Sequence, residues 1–390
     1  MRWRGAALCQ TRFKCGLVLE KCYNREETRP LMNKKALIAM SGGVDSAVAA
    51  LLTKEQGFDC IGITMRLFNN EDVGVHNNKS CCSLEDAVLA EQAANRMDIP
   101  FYVFNLAEDF KKQVIERFIT AYQDGATPNP CIDCNRYIKF ERLFSRSSQL
   151  GMDYVVTGHY ANVEKDQTTN RFLLKKALDT AKDQSYVLYA MTQDQLQHTM
   201  FPLGKLTKQK VREIASKHGF ANAQKPDSQD ICFVQDGDYS QFITQYTQQD
   251  YPEGDFIDTK GHILGRHKGH IRYTIGQRKG LGIAFGKPMY VCAKNPTSNT
   301  VTLCEDAELF TRTLYAKDFN WIPFESPKSA IKIKAKIRYN QKEQWATAQI
   351  VDNKNGIVHI EFDQPQRAIA KGQAVVLYDG DIVVGGGTIV

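Results

Sequence analysis

Ala36-Leu37-Ile38-Ala39-Met40-Ser41-Gly42-Gly43-Val44-Asp45-Ser46 decides the fold of this chain. The apolar run Ala36 to Met40 reads as a strand, and Ala47 to Gln56, rich in helix formers, reads as a helix. Between them, two consecutive glycines let the backbone come close to a bound group. The free N–H groups and dipole of a helix starting directly after them favour an anion, and phosphate is the natural guest. The plainer alternative is a tight turn with Asp45 or Ser46 as an ordinary N-cap. The stretch lacks the Gly-Lys-Ser/Thr ending of a Walker loop, so no lysine of the loop reaches a terminal phosphate.

Working outward, Ile61, Ile63, Met65 and Leu67 alternate and predict a second strand over 59–68. Residues 100–106 and 152–157 predict a third and a fourth, the last running into Gly158-His159-Tyr160. A helix is expected from Ser83 to Met97 and another over 109–124, where Phe110, Val114, Phe118 and Tyr122 recur every four residues. Strands alternating with helices argue for an α/β class with a doubly wound parallel sheet, whose ligands sit at the carboxyl ends of strands. Ser41, Met65 and Gly158 all fall at such ends.

At 390 residues the chain has room for two or three domains, and 43% hydrophobic with 24% charged residues is ordinary for a globular protein. No run of 18 apolar residues suggests a membrane span. Eleven cysteines are too sparse for a secreted disulfide scaffold, which points to a reducing, cytoplasmic setting. Residues 1–31 carry seven Lys and Arg against three Glu without periodicity. A disordered tail, or sequence upstream of a start at Met32, is expected there; an organelle transit segment, mitochondrial or other, is the alternative, against which stands the lack of serine.

Thr127-Pro128-Asn129-Pro130-Cys131-Ile132-Asp133-Cys134-Asn135 holds a Cys-x-x-Cys behind two prolines, and a rigid loop is expected. Cys232 lies in a second polar stretch, 226–233. Cys60, Cys292 and Cys304 sit in apolar or strand-like surroundings and read as core residues. The others suit reactive thiols, which need an electropositive, partly open setting. Cys81 and Cys82 end a polar loop and either take part in the chemistry of the other loop cysteines or simply line that loop.

Ser41-Gly42-Gly43-Val44-Asp45-Ser46 resembles the loop of the N-type ATP pyrophosphatases, which split ATP between the α and β phosphates. Further motifs narrow the resemblance: Asn129-Pro130-x-x-x-Cys134-Asn135-x-x-Ile138-Lys139-Phe140, Thr157 to Tyr160, Lys182 to Tyr186, and Asp227-Ser228-x-x-Ile231-Cys232-Phe233. Together they make residues 33–390 resemble the tRNA-specific 2-thiouridylases. That resemblance implies adenylation of the C2 oxygen of wobble uridine 34, then its replacement by sulfur, releasing AMP and pyrophosphate. Ala39, Met40, Ser41, Gly42, Gly43, Val44, Asp45, Ser46, Met65 and Gly158 would hold ATP, with Asp45 also a candidate Mg²⁺ ligand. Cys232 would carry a persulfide and Cys134 would resolve it, leaving a Cys134–Cys232 disulfide. Asn129, Pro130, Cys131, His159, Lys182, Asp183, Gln184, Arg338, Tyr339 and Gln373 would contact the tRNA anticodon stem-loop. A sulfur-donor protein or persulfide carrier is the other implied partner. Many members of the family have aspartate where this chain has Cys131, so an alternative seats a [4Fe–4S] cluster on Cys131, Cys134 and Cys232.

From Thr259 to Cys304 there is no acid, while Lys260, Arg266, Lys268, Arg272, Arg278, Lys279, Lys287 and Lys294 are basic, a sign of a polyanion partner. The helix over 207–219 is expected to expose Lys208, Lys210, Arg212 and Lys217. Ile331 to Tyr339 alternates apolar and basic residues as a strand, and several short strands after it predict a small barrel or sandwich. The expected organisation is an extension over 1–32, a catalytic domain over 33–235, a basic tRNA-binding domain over 236–305 and a β-barrel over 306–390. The rivals to a thiouridylase are an amidating synthetase with the same loop and a non-catalytic tRNA-binding protein.

Overall fold

The computed structural model describes residues 34–68, 84–226, 231–234 and 237–390; the expectations for residues 1–33, for Cys81 and Cys82, and for 227–230 lie outside them. Strands β1 (Lys35–Ala39), β2 (Asp59–Arg66), β3 (Phe101–Asn105) and β4 (Tyr154–Val156) are parallel. Next in the chain, β5 (Asn162–Lys165) and β6 (Phe172–Lys175) form an antiparallel hairpin that leaves this sheet, and β7 (Thr199–Met200) returns to it. The order β3-β2-β1-β4-β7 reverses direction between β1 and β4, which opens a crevice at the carboxyl ends of those two strands. Ala36, Leu37 and Ile38 are completely buried because helices cover both faces, and each large apolar side chain so buried contributes roughly 1.5–3 kcal/mol.

The central segment forms a sheet from β8 (Gly254–Ile257), β9 (Ile263–His267), β10 (Tyr290–Asn295) and β11 (Thr300–Cys304), in the order β10-β11-β8-β9. Phe256, Tyr273, Val291, Val301 and Leu303 are its core. The remaining strands are β12 (Phe310–Trp321), β13 (Ile331–Lys336), β14 (Gln344–Asp352), β15 (Ile357–Arg367), β16 (Ala374–Asp379) and β17 (Ile382–Ile389). They close into a six-stranded antiparallel barrel through the β12–β17 pairing. The β5–β6 hairpin joins the barrel at Lys175 and Ile382, so the first segment and the last share one sheet. Among the described residues no helix is long and apolar enough to cross a membrane.

Three expectations change. The rigid loop around Cys131 is a helix: it starts at Pro130, becomes π-helical over Cys134–Arg142 and runs on to Gln149. Proline is favoured at the first helical position, where its missing N–H costs nothing, and the Asn129 side chain accepts from Cys131 N at 3.1 Å. Lys208 is not an exposed helix charge; only 9% of it is accessible. The strand beginning at Ile331 stops at Lys336, before Arg338 and Tyr339. The acid-free run is also less bare than its sequence suggests. Arg266 pairs with Asp255 at 2.8 Å and Lys287 with Glu305, both acids lying just outside the run.

Candidate active site

The loop after β1 is stitched together by its own side chains. Ser46 Oγ donates to Gly43 O at 2.9 Å and accepts from Ser41 N at 3.1 Å, while Asn222 Nδ2 donates to Gly42 O at 2.8 Å. Gly42 has φ +74°, and a Cβ there would lie 2.3 Å from the carbonyl oxygen of Asp86. Neither Asp45 nor Ser46 is the N-cap: Gly43 is, in an extended conformation, and no side chain caps the first turn among the described residues. The turn therefore keeps donors for an anion. Ala39, Met40 and Val44 are buried, so only their backbone can meet a ligand.

Asp45 is committed inside the protein. Lys208 Nζ donates to both of its carboxylate oxygens at 2.8 Å, and Tyr160 OH donates to Oδ1 at 2.8 Å. Lys208 opens the helix Lys208–Lys217, which is capped by Thr207, and its backbone N–H donates to Asp179 at 2.9 Å. Tyr160 is fixed by Gln184, whose side chain accepts from Tyr160 N at 3.0 Å and whose own N–H donates to Tyr160 O at 2.8 Å. Gly158 lets the loop after β4 approach, since a Cβ there would sit 2.8 Å from Asp45 C and Ser46 N. Lys208 thus lies across both oxygens of Asp45, the candidate Mg²⁺ ligand. Lys208 was missed because its partner lies 163 residues away; Tyr160 stood inside a quoted motif without a role.

Cys134 and Cys232 pack against one core cluster containing Phe110, Val114, Phe118, Ile138 and Phe233. Met65 packs against that cluster and also against the cluster holding Ala39, so the two clusters share it. Enclosure pushes the Cys134 thiol up to about 11, opposed by Lys139 and reinforced by Cys131 and Asp133. That shift favours the thiol over the thiolate, the form in which a cysteine attacks a disulfide sulfur. Asp133 is pushed up to about 6 by loss of hydration, against the pull of Arg117 and Arg136. Cys131 is exposed, while Cys134 and Cys232 are partly buried. Among the described residues no three His, Cys, Asp or Glu side chains converge as a metal-holding group, the alternative cluster seat on Cys131, Cys134 and Cys232 included.

The expected tRNA residues gather around the start of the cysteine helix, with differing exposure. Gln373 Nε2 donates to Thr127 O at 2.8 Å, tying the barrel to the segment before Asn129 and Pro130. Tyr339 OH donates to Asp183 O at 2.8 Å, and Asn135 Nδ2 donates to Val187 O at 3.2 Å, so barrel, cysteine helix and residues 182–188 are locked together. Asp183 is occupied by Ala177 N and Ser185, and Gln184 by Tyr160. Lys182 is partly exposed. His159 is buried between Phe140 and Phe201, its Nδ1 2.7 Å from Thr157 Oγ1, and enclosure holds it neutral. Arg338 donates to Ala368 O at 2.6 Å.

Residues 34–236 match the tRNA methyl transferase HUP domain, residues 240–305 the tRNA methyl transferase PRC-barrel domain, and residues 311–389 the aminomethyltransferase beta-barrel domain. The tRNA-specific 2-thiouridylase MnmA of Clostridioides difficile is 53% identical, over 92% of this chain and 98% of its own length. The protein of that name in Lachnoclostridium phytofermentans is 50% identical over 92% of this chain and 99% of its own. MnmA 1 of a Thermoanaerobacter species is 51% identical over 92% and 98%. At that identity along almost the whole length of these relatives, the chain belongs to the tRNA-specific 2-thiouridylase (MnmA) family.

Proposed function

We propose that this protein is a tRNA 2-thiouridylase that activates uridine 34 with ATP and exchanges its C2 oxygen for sulfur. The observation that carries the reading is Met65, which packs against the cluster that Cys134 and Cys232 also join and against the cluster holding Ala39 of the strand before the phosphate loop. A pyrimidine oxygen leaves poorly as hydroxide. Its attack on the α-phosphate of ATP expels pyrophosphate and makes AMP the leaving group. The terminal sulfur of a Cys232 persulfide then attacks C2 and AMP departs. Cys134 attacks Cys232 Sγ, freeing the thiocarbonyl and forming a Cys134–Cys232 disulfide, which an external dithiol reduces. The phosphates lie on the Gly42 to Ser46 turn, and Lys208 supplies the nearby positive charge.

In this reading the part over 33–235 carries the chemistry, while 236–305 and 306–390 hold the tRNA. The expected contacts at Asn129, Pro130, Cys131, Lys182, Arg338, Tyr339 and Gln373 surround the mouth of the cysteine helix; His159, Asp183 and Gln184 shape that mouth from behind. The partners are tRNA and a persulfide-carrying donor, in a cytoplasmic setting. A methyl transfer, as the name of the matching domain models suggests, would need neither the phosphate turn nor paired thiols. The test is pyrophosphate release from ATP with and without unmodified tRNA, in wild type and in C232S. The expected result is tRNA-dependent release in both and thiolation only in the wild type. Methylation of tRNA from S-adenosylmethionine without ATP cleavage would overturn the reading.

A further inference from the structure

Gly276 lies where the central sheet meets the barrel, with φ +86° and its N–H donating to Val291 O at 2.7 Å. A Cβ at this position would lie 2.9 Å from the Ala368 Cβ, 3.5 Å from Arg367 Nη1 and 3.8 Å from Arg338 Nη2. The space over Gly276 is thus filled by Ala368, with two guanidinium groups beside it, one from the end of β15 and one from the turn after β13. Arg338 spends Nη2 on Ala368 O, and both its burial and the charge of Arg367 work against its own. Arg367 lies over the Tyr290 ring at 5.0 Å and points Nε and Nη2 at Asp306, 3.0 and 2.9 Å away. Asp306 engages Nε and Nη2 of Arg367, and an arginine carries five donors.

Gly276 also belongs to the wall of an open cavity of about 650 Å³, which Arg272 and Lys279 line as well. The cavity's carboxylate, Asp238, is engaged in capping the helix Tyr239–Thr247, accepting from Gln241 N at 2.9 Å and Ser240 Oγ at 2.7 Å. Among the described residues the cavity thus adds Arg272 and Lys279 to the positive charge of the seam.

We propose that Arg338 and Arg367 clamp one phosphodiester of the bound RNA at the seam beside Gly276, and that the adjoining cavity, with Arg272 and Lys279, receives the next. This rests on the reading that the chain binds tRNA, and it adds Arg367, Arg272 and Lys279 to the contact set. Like charges held together are costly in the free protein, and a diester between them relieves that cost while using donors that Asp306 leaves over. The competing explanation is that Arg367 and Asp306 form a structural ion pair and nothing more.

The experiment is equilibrium binding of unmodified tRNA to the full chain across a salt series, with ATP binding and thermal unfolding as controls for folding. Wild type, R338A, R367A, R367K, D306N and the double variant R272A/K279A are compared. R367A is expected to weaken binding about tenfold and to lower the slope of log affinity against log salt by about 1. R367K should keep the slope while losing part of the affinity, and D306N should bind as tightly as wild type or tighter. R272A/K279A should lower the slope by about 2. If R367A and D306N shift thermal unfolding together and leave tRNA affinity and slope at wild-type values, the clamp is wrong. R338A weakening tRNA while R367A does not would sink the clamp alone, whereas no saturable tRNA binding by wild type would sink the functional reading with it.

Discussion

Lys208 grips both carboxylate oxygens of Asp45 at 2.8 Å, bringing a positive charge into the first turn of the helix that follows the phosphate loop. The loop has no lysine of its own, and this residue supplies one from another helix. K208M removes the ion pair from an aspartate side chain that is 30% exposed and keeps its Tyr160 hydrogen bond, so a stability loss of about 1–3 kcal/mol is expected. Pyrophosphate release should fall tenfold or more. Thermal unfolding and a pyrophosphate assay check both; wild-type turnover in a destabilised K208M would reduce Lys208 to a structural role.

Gly158 makes the loop after β4 fit against the backbone of Asp45 and Ser46. In G158A the added methyl meets main-chain atoms at 2.8 Å, which cannot rotate away. ATP affinity should drop, with a stability loss of about 1–3 kcal/mol. Calorimetric titration with a non-hydrolysable ATP analogue measures the first, and undiminished affinity would contradict the tight seam between the two loops.

Asp133 gives a pH dependence with a definite sign. Its folded value of about 6 stands above the ordinary 3.8, so the folded state holds an extra proton between those values and this group costs stability as pH rises through the interval. The cost is complete above about 6 and absent below about 3.8. D133N should raise the melting temperature near neutral pH and lose that advantage in acid. An advantage that persisted unchanged below 3.8 would mean that another effect of the substitution dominates.

Lys294 shows the opposite case. Its ammonium sits over the Tyr122 ring, and loss of hydration lowers it from 10.5 to about 8. Below about 8 it is charged in both states and the folded state bears the full penalty, which is relieved as pH rises toward 10.5. K294M should therefore stabilise the protein at neutral pH, by an amount that shrinks in alkali, while tRNA affinity stays unchanged. Denaturant titrations at several pH values check this.

The parallel sheet, the phosphate turn and the barrel were legible because each rests on local pattern: a strand followed by glycines, alternation at Ile331 to Lys336, turn residues between short strands. What escaped was set by distant partners. Lys208 looks like any lysine on an amphipathic helix until β1 and β4 bring Asp45 and Tyr160 to it. The helix at Pro130 was hidden by weighing proline as a breaker where its place at the first turn makes it a starter. The acids that answer Arg266 and Lys287 lie just beyond the acid-free run, on β8 and after β11, and only strand pairing makes them neighbours. The raised Cys134 likewise needed the fold, since Cys-x-x-Cys spacing says nothing of enclosure.

The most direct measurement is mass spectrometry of nucleosides from unmodified tRNA incubated with the protein, ATP and a persulfide donor. The account predicts 2-thiouridine at position 34 together with AMP and pyrophosphate, and no 2-thiouridine with C134S or C232S. AMP formed on a small molecule, with uridine 34 unchanged in the presence of wild-type protein, would contradict it.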